Sequence, residues 1–442
     1  MAATFLGRLA DRFDPPEDPY LHDPAGWVQE HTKEDLWSTQ VRIMESVRDN
    51  RRTAVPACHG PGKSFSAARL VAWWLSVHPP GSAFVVTTAP TDPQVKAILW
   101  REITRAHRRG KLPGHVTQDA HWKINGEIVA YGRKPADHDE DGFQGIHARY
   151  VLCIFDEACG IPKQLWIAAT TLLTNEEARI LAVGNPDHPT AEFAAVCQGA
   201  DPVEGGMSDR GWNVVPIAAP NTPNFTGERV SEVMRLALTS HLWVDEFALD
   251  VGGPALVDAS RQLIALTAGG RTISEALEAL PDEAREAITS SPLYVSKVLG
   301  MFPVDADDGV IPWSWVRGCV GEVAQAKAGA LLVPRRLGVD VGGSELGDET
   351  VIYELCGMHV GRRWSIRSSD PDKVARKIEA AIRESQPDSV KIDSIGIGWG
   401  VMGMIRRTFP SLTVHGVSVA EAASEPSRFL NLRSELWWSV GR

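Results

Sequence analysis

Residues Ala57–Ser64 read ACHGPGKS and lie between a short β-prone run, 53–56, and a strongly apolar helical run, 64–77. This strand–glycine loop–helix unit restricts what the chain can fold into more than any bulk property does. Small residues let backbone N–H groups wrap phosphates, a lysine meets the β- and γ-phosphates, and a hydroxyl enters the Mg²⁺ shell. Gly60, Gly62, Lys63 and Ser64 supply these parts, and His59 and Pro61 complete the loop. Residues 59–64 are therefore expected to bind ATP, with Ser64 also a Mg²⁺ ligand. Ala57 stands where the GxxxxGK[ST] pattern has its first glycine, and alanine is small enough to leave the loop intact. A GKS triplet alone is as often a chance turn, so the flanking strand and helix carry the reading.

Further on, Val151–Glu157 reads VLCIFDE. Asp156 ends an apolar strand, where it can hold Mg²⁺, and Glu157 is placed to orient and deprotonate an attacking water. The competing reading is a helix N-cap pair. Gly184-Asn185-Pro186 follows another apolar strand, 179–183. It is either a plain turn or the place where Asn185 senses the γ-phosphate. Gln40, within LWSTQVRI, reads either as a contact to the adenine edge or as a solvated helix glutamine.

Apolar strands at 83–88, 151–155 and 179–183 alternate with helical stretches at 37–47, 64–77 and 94–107. Strands apolar on both faces indicate a mainly parallel sheet, so the fold class is α/β. The chain has 442 residues and 43% hydrophobic composition, enough for more than one ordinary core. No run has the length and apolarity of a membrane span, and the acidic, Pro-rich N-terminus lacks a signal-peptide design. Six cysteines without a CxxC pair argue against a zinc module or a disulfide framework. A net charge of −11 is unlike a protein that only coats nucleic acid, but suits an enzyme that holds DNA through local patches. The expected layout is a flexible arm over 1–35, an ATPase core over 36–225, a helical lid or insertion over 226–302, a linker over 303–334 and a second α/β unit over 335–442.

In that last unit Asp340 ends the first strand and Asp393 ends a later one, running LGVDV and SVKID. Carboxylates at the ends of adjacent strands converge, as two-metal phosphodiester cleavage requires. Asp340 and Asp393 are candidate catalytic metal ligands, with Asp348 in the intervening hairpin as an auxiliary acid. An actin-like phosphate-binding fold also begins with a strand and a D-x-G turn, but needs a longer chain than this unit provides.

Taken in order, HGPGKSFSAARL, GFQGIHARYVLCIFDEACGIP, RILAVGNPDHP, SPLYVSKVLGMFPVDADDGVIPWSWV, LGVDVGGSELGDETVI and VKIDSIGIGWGVMGMI resemble the large subunit of tailed-phage terminases. The resemblance spans most of the chain. It implies an N-terminal P-loop (ASCE-type) ATPase domain followed by an RNase H-like nuclease domain. It further implies ATP and Mg²⁺ as cofactors, with Mn²⁺ able to substitute in the nuclease. The implied partners are double-stranded DNA, the portal protein, the small terminase subunit and further copies in a ring on the procapsid, in the cytoplasm of an infected bacterial host and with no membrane. The sequence departs from the family at Asn431–Arg442, where a third metal-binding acid is expected and only Glu435 stands, reading as a solvated helix acid. The nuclease is therefore expected to be shortened and impaired, and Gly252–Ser290 is expected to be an insertion. Basic clusters at Arg101–Lys111 and Arg362-Arg363 read either as phosphate contacts or as solvated faces. Arg133 is preferred to Arg149 as a trans-acting arginine finger. The alternatives are a DExx-type helicase, for which no second RecA-like domain with a QxxGRxxR motif is found after residue 200, and a prophage remnant with an inactive nuclease.

Overall fold

A computed structural model describes residues 17–134, 148–173, 175–305, 315, 333–343, 348–357 and 359–440. The chain divides into two compact units, 1–307 and 308–442. Among the described residues no helix is long and apolar enough to cross a membrane.

The first unit is built on a sheet of β1 (Arg52–Pro56), β2 (Ala83–Thr88), β3 (His115–Val116), β4 (His121–Ile124), β5 (Glu127–Gly132), β6 (Tyr150–Phe155), β7 (Arg179–Gly184), β8 (Gly206–Met207) and β9 (Asn213–Val214). Their order is β3-β4-β5-β2-β6-β7-β1-β9-β8. The run from β5 through β2, β6, β7 and β1 to β9 is parallel, and antiparallel pairs close both edges. The sequence of β6 explains its central place. Leu152 and Ile154 enter one core, while Val151, Cys153 and Phe155 enter the core on the opposite face. A strand apolar on both sides can only be stable with helices covering each face. Placing β7 between β1 and β6 is the strand order of an ASCE-type P-loop ATPase domain.

Helices α1 (Ser38–Asp49), α2 (Lys63–Val77) and α3 (Trp100–Arg109) pack on the first face. The expected single helix over 94–107 is interrupted. Val95–Leu99 forms a wider π-turn before α3. With it, Val95, Leu99, Trp100 and Ile103 all reach the core. Residues 223–300 are helical, including α4 (His241–Ala268) and α5 (Pro292–Lys297). Helix α4 breaks at Gly253 (φ 72°), because the residue before Pro254 is driven out of the helical region.

The expected flexible arm over 1–35 is corrected for its described part, 17–35. Trp27 and Val28 are 1% and 0% exposed, and the Trp73 indole donates to the Tyr20 carbonyl at 3.0 Å. Arg69 of α2, itself 2% exposed, donates to both oxygens of Glu34 at 2.9 and 2.7 Å and lies 3.3 Å from Glu102. A polar composition concealed this packing, since its few apolar side chains do all the burying.

The second unit carries a sheet of β10 (Arg335–Asp340), β11 (Thr350–Cys356), β12 (His359–Ile366), β13 (Ser389–Asp393) and β14 (Thr413–Val417) in the order β12-β11-β10-β13-β14. The β10–β11–β12 pairs are antiparallel, and β13 and β14 add parallel to β10. This is the RNase H-like arrangement. Helices α6 (Pro371–Ser385) and α7 (Gly398–Thr408) bury Val374, Ile378, Ile382, Val401 and Ile405 against Leu337, Val339 and Ile392.

Replacing Arg69 by alanine takes the two-pronged partner from Glu34, leaving it Arg109 at 3.5 Å, and one of two arginines from Glu102. Arg69→Ala should lower unfolding stability by about 2–3 kcal/mol, and Glu34→Gln by less, as measured by urea denaturation.

Candidate functional site

The parallel run β1–β7–β6 places the C-terminal ends of these strands side by side, so Ala57, Gly184 and Asp156 lie along one sheet edge. The loop leaving β1 returns into α2 through Gly60 (φ 69°) and Gly62 (φ 88°), both left-handed. A side chain at Gly62 would also meet the Gln40 amide nitrogen at 2.6 Å. Ala57 is buried and makes ordinary extended contacts: its amide donates to the Gly184 carbonyl at 3.0 Å, and it does not have the positive φ that would demand glycine. The departure from the glycine pattern therefore costs no backbone strain.

Lys63 opens α2, is 9% exposed, and donates from Nζ to the Cys58 carbonyl at 3.2 Å. Ser64 follows it in the first turn of α2, partly buried. Asn185, directly after β7, donates from Nδ2 to the Ala57 carbonyl at 2.7 Å, which ties the GNP turn to the base of the loop.

Asp156 is 2% exposed, and its Oδ1 accepts the Glu157 amide at 3.2 Å. Burial pushes its carboxyl up to about 7, helped by the neighbouring Glu157 charge and opposed by Lys63 and by the Glu157 amide. Glu157 has left-handed backbone (φ 49°, ψ 51°), a conformation that non-glycine residues adopt at a cost and that clusters at functional sites. The turn around it is tight. A Cβ on Gly184 would lie 2.8 Å from the Ala158 amide nitrogen, so only glycine fits there.

Gln40 is not a solvated helix glutamine. It is 0% exposed, its Oε1 accepts the Trp37 amide at 3.3 Å, and its Nε2 has no hydrogen-bond partner. Thr88 Oγ1, at the end of β2, and Asp187 Oδ1, just beyond Asn185, are likewise buried without partners. Unpaired buried polar atoms are costly. The three lie beside the glycine loop, the Asp156 strand end and the GNP turn.

The helical segment reaches into this site at places with no local sequence signal. The Thr239 amide donates to the Gly60 carbonyl at 3.1 Å, and its hydroxyl donates to the His59 carbonyl. The His59 amide donates to the Lys297 carbonyl at 2.7 Å, and the His59 ring stacks on Trp243 with centroids 5.2 Å apart. Burial lowers the His59 pKa, and Lys63 and Lys297 add to the effect. Asp187 directly follows the GNP turn, whereas Thr239, Trp243 and Lys297 lie far from the glycine loop in sequence.

Arg133 follows β5, and its amide donates to the Thr87 carbonyl at 3.1 Å, on the same sheet edge as Asp156. Arg149 precedes β6 at the opposite edge and lies 3.9 Å from Glu177. The GFQGIH part of the Asp156 block, 142–147, lies outside the described residues. Arg101, Arg105 and Arg108 are exposed on α3, and Arg105 pairs with Glu102.

In the second unit Val339 pairs with Ile392, so the following Asp340 and Asp393 end neighbouring parallel strands. Asp340 is exposed, and Asp393 Oδ1 accepts the Ile395 amide at 3.0 Å. Among the described residues no group of three or more His, Cys, Asp or Glu side chains is gathered for a metal ion, so Asp348, itself exposed, is not assembled with the other two. The Arg362-Arg363 patch is corrected. Arg362 is held by Glu354 and Glu384 at 2.9 Å each, and Arg363 by Glu349. Hydrogen bonds from Arg362 draw the Glu354 carboxyl down to about 2. Glu435 accepts the Ser424 amide at 2.6 Å instead of standing free.

The resemblance to phage terminase large subunits is borne out by a curated relative. The chain is 26% identical over 172 residues to a "Probable terminase, large subunit" of Enterobacteria phage P7. That match takes in 36% of this chain and 34% of the relative, so the chain spans about a third of that protein's length. No family model matches. Among solved structures, the chain is similar to the HK97 bacteriophage large terminase at 14% identity and a TM-score of 0.46, covering 90% of this chain and 85% of that one. It is also similar to the large terminase of a thermophilic bacteriophage at 10% identity and a TM-score of 0.36, covering 93% and 84%. At such TM-scores the basis of the fold is the strand order given above.

The Asp156 shift carries a pH dependence. Its folded pKa lies above the ordinary carboxylate value of 3.8, so the native state holds the proton more tightly than the unfolded chain. Stability should fall as pH rises from about 4 to about 7, by on the order of 2–4 kcal/mol from this group. Asp156→Asn should remove that slope in denaturation measured between pH 5 and 8.

Proposed function

We propose that this chain is the large subunit of a viral DNA-packaging motor, an ATPase that drives double-stranded DNA into a procapsid and carries an endonuclease in its second unit. The observation that carries the ATPase reading is the meeting of Lys63, Asn185, Asp156 and Glu157 at one sheet edge, with unpaired polar atoms around them.

In this reading the amides of Gly60, Gly62, Lys63 and Ser64 wrap the β- and γ-phosphates, since Pro61 has no N–H and the His59 amide is held by the Lys297 carbonyl. Lys63 exchanges the Cys58 carbonyl for a phosphate oxygen. Ser64 and Asp156 would hold Mg²⁺, an ion that would supply neutralisation of charge developing on the transferred phosphoryl group. Glu157, fixed by its left-handed backbone, orients water and accepts its proton. Asn185 reports the γ-phosphate to the loop base through Ala57, and Gln40 offers its unpaired amide from beneath Gly62. In the second unit Asp340 and Asp393 would hold Mg²⁺ or Mn²⁺, an ion that would supply activation of water and stabilisation of the leaving oxygen. Arg133 is the candidate to act in trans across a ring. Portal protein, small terminase subunit and further copies of the chain are the proposed partners, in the cytoplasm of the bacterial host.

A helicase reading would want a second RecA-like sheet. The second unit instead opens with an antiparallel β10–β11–β12 meander.

Purified protein should hydrolyse ATP slowly with Mg²⁺. Glu157→Gln should lower kcat by roughly a hundredfold or more while leaving nucleotide affinity near that of the parent. Wild-type turnover in that variant would remove Glu157 as the base. Lys63→Ala should weaken ATP binding by roughly tenfold or more in calorimetry. For the second unit, a plasmid-nicking assay with Mn²⁺ should show cleavage that Asp340→Ala abolishes. Unchanged cutting by that variant would put the nuclease elsewhere.

A further inference from the structure

Lys297 closes α5, far in sequence from every motif of the phosphate site, yet it touches the site twice. Its carbonyl accepts the His59 amide at 2.7 Å. Its ammonium lies 2.8 Å from Asp187 Oδ2, two positions past Asn185. The same residue thus holds the glycine loop with its main chain and the sensor turn with its side chain. Neither partner of the ion pair is deeply enclosed, with side chains 26% and 31% exposed. Asp187 is also an incomplete terminus, because its Oδ1 is buried and has no partner.

We infer that Lys297 is a second, movable phosphate-binding cation, resting on Asp187 in the free protein and transferring its ammonium to the γ-phosphate when ATP fills the loop. This rests on the nucleotide reading given above. The reach is short, since the lysine backbone is bonded to the loop itself and the side chain is a flexible four-carbon stem. The exchange is favourable, since a terminal phosphate carries more negative charge and more acceptor oxygens than one partly solvated carboxylate. Lys63 does not duplicate the role. It enters from α2 and rests on the Cys58 carbonyl, whereas Lys297 comes from the helical segment. ADP has no γ-phosphate to attract the ammonium, so Lys297 would remain on Asp187. The residue would therefore make the site prefer ATP to ADP, and the change of partner would register at α5 and at the sensor turn together.

The test is calorimetric titration of the full chain with a non-hydrolysable ATP analogue and with ADP, each with Mg²⁺. Lys297→Met should weaken analogue binding by roughly tenfold while changing ADP binding by no more than about twofold, and Lys297→Arg should restore most of the loss. Asp187→Asn releases the ammonium from its resting place, so its analogue binding should equal or exceed that of wild type. A bridge with only a structural role predicts something different: both variants would lose ATP and ADP affinity alike. Equal losses for the two nucleotides in Lys297→Met, or weakened analogue binding in Asp187→Asn, would overturn the proposal. If Lys297→Met does not fold, Asp187→Asn decides by the same criterion. If wild-type protein binds neither nucleotide, the phosphate-loop reading fails and this proposal falls with it. If wild type prefers the analogue and Lys297→Met keeps that preference, only the role of Lys297 is lost.

Discussion

The insertion of β7 between β1 and β6 is the constraint on which the rest of the first unit depends. Parallel pairing with both neighbours aligns the C-terminal ends of all three strands. Crevices at such strand ends are where α/β sheets bind ligands. The alignment puts Asn185 within 2.7 Å of the Ala57 carbonyl and leaves no room for a side chain at Gly184 beside the Glu157 turn. It also forces Asp156 into the interior, where burial and the Glu157 charge make ionisation unfavourable. A buried carboxyl of this kind costs stability, which is the observation the proposed Mg²⁺ role of Asp156 accounts for.

What was legible in the sequence was local. The loop 57–64, the VLCIFDE strand and the GNP turn each announce themselves within a few residues, because glycine loops and doubly apolar strands have local physical requirements. A mainly parallel α/β sheet followed from these strands, and the ASCE-type domain from the family resemblance. Long-range packing was not legible. Nothing near Gln40 marks it as a fully buried side chain under Gly62, since that burial depends on a loop from another part of the chain. Trp243 and Lys297 sit in helices and Thr239 in the turn before α4, and only the folded chain brings them to the glycine loop. Residues 17–35 were misread for the opposite reason. Their composition is polar, yet Trp27 and Val28 anchor them in the main core.

Arginine clusters show the same limit in the second unit. The Arg362-Arg363 pair has the look of a phosphate contact, but Arg362 donates to Glu354 on the neighbouring strand, and Ser385 Oγ donates to the same carboxylate at 2.6 Å. A carboxylate that is 5% exposed needs such donors, so these groups serve the join between sheet and helix. Asp340 and Asp393 differ because they end their strands instead of lying within them, which leaves them at an open edge.

The grip of the helical segment on the glycine loop bears on how the domain can be dissected. Thr239 takes the carbonyl of Gly60, Lys297 takes the amide of His59, and Asn224 braces the Thr239 turn through the carbonyls of Arg235, Leu238 and Thr239 at 3.0, 3.2 and 2.9 Å. The loop is thus completed by chain that follows it by well over a hundred positions, which holds the His59 amide and the His59 and Gly60 carbonyls. A fragment ending ahead of residue 223 would contain the glycine loop, the Asp156 strand and the GNP turn and still lack the outer wall of its binding loop. For this protein the boundary of a motif set and the boundary of a working module do not coincide.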